Sequence, residues 1–530
     1  MSEIAFMRVR SLLLATCTGV LAWLGWPASP IGQPLFLFFA WVPLFIVAHS
    51  EKSTRHFFGY AYWAFLLWNV GTTYWIWNAT EPGAVAAWLA NSLLMCIPWV
   101  AYHQFSKKLN PLFATFLLLG CWLSFEFFHL QDWGLSWPWL TLGNGLANHP
   151  EWIQWYAITG VAGGSLWIFL TNIFFFHHWH SNQQAGGKKK YHWLIVSFII
   201  AITPLWFSFY YSTRVIETDD KQNEIVIVQP NIDPYEKISA GTEQKQLETS
   251  IQLSKNAIQE KTSLLIWPET ALYSPYGYDE EKINQTASLA PLKNLLSHYP
   301  RVSLLTGIES YKWVSSPTPY SRTLSDGQTQ FEAYNAAVLI DQFGTHGFYH
   351  KSKLVPGVET LPWFLRFIDQ WFEKFGGITA GYAKQNNRQV LEEKNGIKLA
   401  PAICYESIYG DFLRQYVKKG ANLITIITND GWWKKTPGHI QHFHYARLRA
   451  IETGCWVARS ANTGISGFIN PKGAVVEYKG YGIAAVCAQS ISLTNHSPTF
   501  YVQHGDWLFK WIVVLTIILL LISLLPKFRQ

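Results

Sequence analysis

Long apolar stretches recur through the first two fifths of the chain, and one more lies near its C-terminus. Eight of them approach the roughly 20 residues that an α-helix needs to cross a bilayer. The first follows Arg8 and Arg10 and would also suit a signal peptide, but seven further stretches favour an uncleaved anchor. The pattern therefore predicts a polytopic α-helical membrane domain with eight spans, at 9–26, 33–49, 57–77, 86–104, 110–128, 160–177, 193–211 and 507–525.

A different pattern fills the long segment between the seventh and eighth stretches. Short runs of β-branched and apolar residues alternate there with polar turns, and helical patterns lie near 243–260 and 438–454. At about 290 residues the segment is long enough for one large domain with its own core. We therefore expect a transmembrane domain at 1–212, an α/β sandwich with mixed sheets at 213–505, and a last transmembrane helix with a cytoplasmic tail at 506–530.

Composition and charge support this division. Only 14% of the residues are charged, against about 25% in an ordinary soluble domain, and the chain holds 28 Trp, a residue enriched at bilayer interfaces. The Lys and Arg residues of the short loops fall on one side of the predicted spans, at Arg8, Arg10, Lys52, Arg55, Lys107, Lys108 and 188–190. Because cytoplasmic loops collect these residues, we expect a cytoplasmic N-terminus and an extracytoplasmic 213–505 segment. The net charge of +7 is therefore an orientation signal, and nucleic-acid binding is not expected.

Three candidate chemical groups lie in the polar segment. Cys404 follows an apolar run in PAICYES, Glu269 follows another in LLIWPET, and Lys351 lies in FYHKSKLVPGVE. Taken singly, each has an ordinary interpretation: a packed thiol, a solvated carboxylate and a surface charge. A thiol with a pKa of about 8.5 is a weak nucleophile at neutral pH, so a base and a nearby cation are the minimal equipment that activates it.

In this order, WPET, HKSKLVP and AICYES resemble the Glu, Lys and Cys segments of the nitrilase superfamily. Together with the eight predicted spans, the chain resembles the bacterial apolipoprotein N-acyltransferases along essentially its whole length. The resemblance implies that Glu269 is the general base, Lys351 the oxyanion-stabilising cation and Cys404 the nucleophile. It also implies a nitrilase-like sandwich fold and supporting or substrate-binding roles for Glu359, Tyr405, Glu406 and Trp433.

The same resemblance implies a function. A phospholipid would donate an acyl chain to the cysteine, and the thioester would pass it to the N-terminal amine of a diacylglyceryl-cysteine apolipoprotein. The enzyme would work in the bacterial inner membrane with its catalytic domain on the periplasmic side, as a monomer and without a cofactor.

One stretch between Lys351 and Cys404, PWFLRFIDQWFEKFGG, has aromatic residues at spacings of three and four with charges between them. This is the pattern of an amphipathic helix. It suits either a lid that dips into lipid over the site or a helix that packs on the core of the domain. The membrane-contacting residues of such a lid would be Trp363, Phe364, Phe367 and Trp371.

Other readings stay open at this point. His439, His442 and His444 share a predicted helix, but no acidic or Cys partner lies at ligand spacing, so a metal is not expected. Cys455 and Cys487 either pair or remain free thiols. The same three catalytic groups would also serve a membrane-tethered amidase acting on a small extracytoplasmic amide. A transporter is disfavoured because the predicted spans hold very few ionisable residues.

Overall fold

The computed structural model describes the parts of the chain at 3–184, 191–213, 222–237, 241–360, 381–493 and 498–525. Its N-terminal part is helical, and a last helix follows the α/β part. The long helices of this portion are Glu3–Leu24 (α1), Val42–Ser50 (α2), Thr54–Thr73 (α3), Glu81–Phe105 (α4), Pro111–His129 (α5), Val161–Gln184 (α7), His192–Ser212 (α8) and Trp507–Ser523 (α15), with a short Tyr156–Thr159 (α6) before α7.

Helices lie in all eight stretches that the apolar pattern marked. Four of them, α1, α4, α5 and α8, are long and apolar enough to cross a membrane, and shorter apolar helical segments lie at Pro34–Ser50, which is interrupted, and at Trp507–Ser523. The chain therefore has several apolar helices that suit a membrane domain, and the total of eight spans remains a prediction.

The second stretch is not one continuous helix, contrary to the simplest interpretation of its apolar pattern. A 3-10 helix at Pro34–Phe38 precedes α2. At the break, Asn172 of α7 donates from Nδ2 to the Leu37 carbonyl at 2.8 Å and accepts from the Trp41 amide at 2.9 Å. Because backbone groups in an apolar interior need partners, this one buried amide makes the interruption possible.

The polar segment folds into two packed sheets. Its strands are Gln222–Gln229 (β1), Thr262–Ile266 (β2), Tyr278–Asp279 (β3), Ser303–Val314 (β4), Arg322–Thr323 (β5), Gln330–Asp341 (β6), Gly344–His350 (β7), Leu391–Glu392 (β8), Lys398–Ile403 (β9), Leu423–Thr428 (β10), Trp456–Ala461 (β11), Ser466–Ile469 (β12), Val475–Lys479 (β13) and Ala485–Ser492 (β14). Its helices are Pro234–Lys237 (α9), Glu243–Lys255 (α10), Ala290–His298 (α11), Gly410–Lys418 (α12), Pro437–Thr453 (α13) and Phe500–His504 (α14).

Both sheets mix parallel and antiparallel pairs, as the sequence predicted. The first sheet runs β14-β1-β2-β4-β6-β5, with β3 beside β4 and β7 beside β6, and the second runs β13-β12-β11-β10-β9-β8. In the first sheet β1, β2 and β4 are parallel, and in the second β9, β10 and β11 are parallel. The central strands β2 and β10 are buried along their whole length, and the Ser460 hydroxyl donates across the two sheets to the Val228 carbonyl at 2.8 Å. An α/β sandwich is therefore confirmed.

The sandwich packs directly on the helical portion. Gln441 of α13 accepts hydrogen bonds from the indole N–H groups of Trp75 and Trp139, at 3.2 and 2.8 Å. The side-chain Nε2 group of Gln441 donates to the Thr72 carbonyl at 3.1 Å. The Tyr405 hydroxyl reaches the Ser136 carbonyl at 2.8 Å. These buried polar contacts join the α/β part to the ends of the apolar helices.

The close contact between α5 and α15 generates a prediction. A Cβ added at Gly120 would lie 2.2 Å from Oγ1 of Thr516, so Gly120→Ala should lower stability by about 1–3 kcal/mol, more than the roughly 1 kcal/mol that alanine gains in helix propensity. Thermal unfolding in detergent measures this. Thr516→Ala in the same chain should restore most of the loss, and Gly59→Ala, where the added Cβ meets open space, should show none. Equal unfolding temperatures for the Gly120 and Gly59 variants would contradict the packing.

Candidate active site

The candidate residues lie where strands end. Glu269 follows β2, Lys351 follows β7, and Cys404 follows β9 directly. β9 is parallel to β10, whose end leads to Asn429. Because strand ends of an α/β sandwich gather polar side chains at one edge, residues far apart in sequence meet there.

Glu269 and Lys351 form a buried ion pair. The Lys351 ammonium donates to Oε1 of Glu269 at 3.2 Å and to Oε1 of Glu359 at 2.8 Å. Only 1% of Lys351, 7% of Glu269 and 9% of Glu359 is exposed. Burial alone would lower the pKa of Lys351, but the two carboxylates hold that pKa well above its ordinary value. The lysine is therefore a fixed cation shared by two carboxylates.

Neutral groups complete the hydrogen bonding of these carboxylates. Asn335 of β6 donates from Nδ2 to Glu269 at 2.8 Å and to Glu359 at 3.2 Å. The backbone N–H of Asn429 donates to Oε2 of Glu269 at 3.1 Å, and the backbone N–H of Val355 donates to Oε2 of Glu359 at 2.8 Å. Both carboxylates are thus held from several sides, which fixes their orientation.

Cys404 begins a 3-10 helix, Cys404–Ile408, immediately after β9. Its φ of +52° is unusual for a residue with a side chain and marks a sharp turn that presents the thiol. Although the residue is partly exposed, its packed surroundings raise the pKa of the thiol, the Glu269 charge raises it further, and Lys351 and a hydrogen bond with Thr428 lower it. The thiol is therefore protonated at rest, so thiolate formation needs a base, and Glu269 is the charge that acts most strongly on it.

Glu406 is fully buried and joins three segments of the site. Its Oε1 accepts from the Tyr349 hydroxyl at 2.7 Å and from the Ser352 and Lys353 amides at 2.6 and 3.1 Å. Its Oε2 accepts from the Ile403 amide at 2.8 Å. Glu406 therefore anchors the backbone on both sides of the site, next to Lys351 and next to Cys404, and its oxygens are occupied by those donors.

Tyr405 and Trp433 lie toward the helical portion. The Tyr405 hydroxyl bonds to Ser136, and the Trp433 ring lies 4.7 Å from that of Trp75 and 5.4 Å from that of His442, measured between centroids. These two aromatic side chains form the side of the site that faces the apolar helices. The lid residues Trp363, Phe364, Phe367 and Trp371 lie outside the described residues.

Behind Cys404 lies a charged network that the sequence did not predict. Asp430 pairs with Nδ1 of His442 at 3.0 Å and with Nη2 of Arg459 at 2.7 Å. Nε2 of His442 in turn lies 3.2 Å from the Cys404 carbonyl and 2.8 Å from the Ser407 hydroxyl. Burial alone would raise the pKa of Asp430, but Arg459 and His442 hold it well below its usual range. The one sequence signal was the polar NDG that ends β10, a strand-end position like that of Cys404.

The remaining histidine and cysteine residues singled out in the sequence can be located in the structure. His442 is engaged in that network, and no group of three or more metal-ligating side chains is found in the described parts of the chain. Cys455 and Cys487 are both free thiols, so the two do not pair.

Comparisons with known proteins match both parts of the chain. Residues 225–494 match the family described as carbon-nitrogen hydrolase, and 18–174 match the apolipoprotein N-acyltransferase N-terminal domain. The apolipoprotein N-acyltransferase of Chlorobaculum tepidum is 28% identical over 492 residues, covering 91% of this chain and 90% of that protein. The one of Rickettsia prowazekii is 29% identical over 421 residues, covering 78% and 77%.

Solved structures of related proteins are more distant. Saccharomyces cerevisiae Nit3, of the nitrilase superfamily, is 16% identical, with a TM-score of 0.37 over 52% of this chain and 93% of Nit3. A carbon-nitrogen hydrolase from Helicobacter pylori G27 is 15% identical, with a TM-score of 0.38 over 55% and 95%.

The four donors around Glu406 make its replacement costly. In Glu406→Gln an amide NH2 must face backbone N–H groups on one side or the other, so thermal stability should fall by about 1–3 kcal/mol for each donor left without an acceptor. Unfolding in detergent measures the loss. Glu392→Gln is the matched control, because that carboxylate is 62% exposed and should be nearly neutral. Equal stability of the two variants would show that Glu406 is not an anchor.

Proposed function

This chain belongs to the carbon-nitrogen hydrolase family, and on that premise we propose that it is a membrane-embedded apolipoprotein N-acyltransferase. It would move an acyl chain from a phospholipid, through a thioester on Cys404, to the N-terminal amine of a diacylglyceryl-cysteine lipoprotein, a step of lipoprotein maturation. The observation that carries this function is the buried Lys351–Glu269 pair beside a strand-end cysteine, in a chain with several apolar helices.

In the first half-reaction, Glu269 takes the proton of the Cys404 thiol as the sulfur attacks the ester carbonyl of the phospholipid. The positive charge of Lys351 stabilises the oxyanion of the tetrahedral intermediate. The ester C–O bond then breaks, the lysophospholipid oxygen receives the proton from Glu269, and a thioester remains.

In the second half-reaction, the lipoprotein amine attacks the thioester carbonyl. Glu269 accepts a proton from the amine, Lys351 again stabilises the oxyanion, and the C–S bond breaks. The Cys404 sulfur recovers a proton from Glu269, which restores the starting state. Glu359 fixes Lys351 against Glu269 by its 2.8 Å contact, so its role is support rather than proton transfer.

The setting of the site suits substrates that arrive in lipid. Tyr405 and Trp433 connect it to the apolar helices, so donor and acceptor would reach it already anchored and concentrated in two dimensions. A partly dry site also favours an amine over water as the acyl acceptor.

We also infer the orientation and assembly. The loop charges favour eight spans with the N-terminus in the cytoplasm, which puts 213–505 on the periplasmic side of a bacterial inner membrane. The transmembrane parts would be 1–212 and 506–530. All the groups named for the reaction come from one chain, so a monomer suffices.

The thioester generates the main test. Detergent-purified protein exposed to phospholipid should gain the mass of one acyl chain on Cys404, and hydroxylamine should remove it. Cys404→Ala should gain none, while Cys455→Ala, which removes another free thiol of the same domain, should be acylated like the parent protein. Glu269→Gln and Lys351→Met should slow the acylation by about 100-fold or more, since each removes a base or an oxyanion partner.

Transfer is followed in the same samples. A diacylglyceryl peptide added to the acyl-enzyme should become N-acylated as the adduct disappears. If peptide is N-acylated while no adduct forms on Cys404 under any condition, the covalent route is wrong. Release of free fatty acid or ammonia from a soluble amide, without any need for lipid, would instead favour the amidase.

A further inference from the structure

A second buried lysine lies behind Glu269. Lys237 ends α9 and is only 3% exposed. Its ammonium donates to the backbone carbonyl of Glu269 at 2.9 Å and to the Thr270 hydroxyl at 2.7 Å. Both acceptors are uncharged, and they belong to Glu269, the candidate base, and to Thr270, the residue after it. Among the described residues no carboxylate pairs directly with this ammonium, and a lysine is rarely buried in this way, so its position needs an explanation.

The segment that Lys237 holds has an unusual backbone. Thr270 has a φ of +48°, in the left-handed region that residues with side chains seldom adopt. On the other side the segment packs on Gly307 of β4, where an added Cβ would lie 2.4 Å from the Thr270 amide and 2.6 Å from the Glu269 Cα. The turn at Glu269 is therefore held between Gly307, which leaves no room for a side chain, and the Lys237 ammonium.

Charge as well as geometry links Lys237 to Glu269. Within the described parts of the chain, the negative groups whose charge acts on the lysine are Glu269, after β2, and Glu309, on β4. Glu309 accepts a hydrogen bond from the Tyr382 hydroxyl at 3.0 Å, and the positive charge of Arg322 acts to lower its pKa. Burial lowers the pKa of Lys237 to about 8, and the two carboxylates act against that shift. The ammonium is thus charged at neutral pH and loses its charge in mildly alkaline solution.

We propose that Lys237 is a positioning residue for Glu269, whose ammonium fixes the strained Glu269–Thr270 turn and supplies positive charge behind the general base, so that Cys404 is acylated rapidly only while Lys237 is charged. This rests on the proposed function through the role of Glu269 as the base. Lys237 contacts the backbone carbonyl of Glu269 and the Thr270 hydroxyl, whereas Lys351 contacts the Glu269 carboxylate itself.

The sign of the pH dependence follows from the lysine. Acylation of Cys404 should be fast below the pKa of Lys237 and should fall as the pH rises through about 8. Ionisation of the Cys404 thiol would act in the opposite direction, because more thiolate means faster attack. The first half-reaction contains no amine substrate, so acceptor ionisation does not mask the fall.

The test compares initial acylation rates from phospholipid vesicles between pH 6.5 and 9.5, read by intact mass. Lys237→Met keeps the length of the side chain without the charge. It should slow acylation at pH 7 by about tenfold or more and abolish the alkaline fall. Lys237→Arg keeps a charge at every pH used, so its alkaline fall should disappear while activity at pH 7 is largely kept. Lys245→Met, on an exposed lysine of α10, is the matched control and should keep the parent rate and profile.

Each outcome decides the matter. Parent-like acylation by Lys237→Met, or an alkaline fall retained in Lys237→Arg, overturns the positioning role. If Lys237→Met does not fold, as thermal unfolding will show, the pH profile of Lys237→Arg decides alone. Absence of acylation in the parent protein as well as in the variants would count against the proposed function, whereas acylation unaffected by Lys237 counts only against this inference.

Discussion

The site depends on one electrostatic constraint, which is that a lysine ammonium is kept charged where water is nearly absent. Removing an ion from water costs several kcal/mol, and a single partner seldom offsets this fully. Lys351 meets the condition with two carboxylates at 2.8 and 3.2 Å. Those carboxylates then need donors of their own, and Asn335, with the backbone amides of Asn429 and Val355, supplies them. The surrounding strand ends are placed by this requirement.

The same constraint bears on the protonation of Cys404 beside Glu269. Burial raises the pKa of the Cys404 thiol, and the negative charges of Glu269 and Asp430 raise that pKa further, so the thiol stays neutral. A preformed thiolate would add another anion to a site with few cations. In the proposed mechanism, proton transfer to Glu269 at the moment of attack would avoid that accumulation, since the negative charge would move to an oxyanion stabilised by Lys351.

The sequence predicted the elements of the sandwich and the position of its polar strand ends, because buried strands are read from runs of β-branched residues and sites gather where such runs stop. Glu269 and Cys404 were predicted in this way, whereas Lys351 was identified through the resemblance of its HKSKLVP segment to a known family. Asn335, Lys237 and the Asp430–His442–Arg459 network were not, because their partners lie 12 to 66 residues away and no local pattern marks a hydrogen bond across that distance. The break before α2 was missed for the same reason, since its partner Asn172 lies on a distant helix.

The contacts of Tyr405 with Ser136 and of Gln441 with Trp75 and Trp139 have a practical meaning for anyone who wants the α/β half alone. A chain that begins at β1 would lack Ser136, the hydrogen-bond acceptor of Tyr405 next to Cys404. It would also lack Trp75 and Trp139, the indole donors to the Gln441 side chain. The exposed surface would be apolar and prone to aggregation, and the turn at Cys404 would lose part of its support. Kinetic measurements on a fragment without the helical part would therefore describe an altered site. The intact chain in detergent or nanodiscs is the appropriate sample for enzymology.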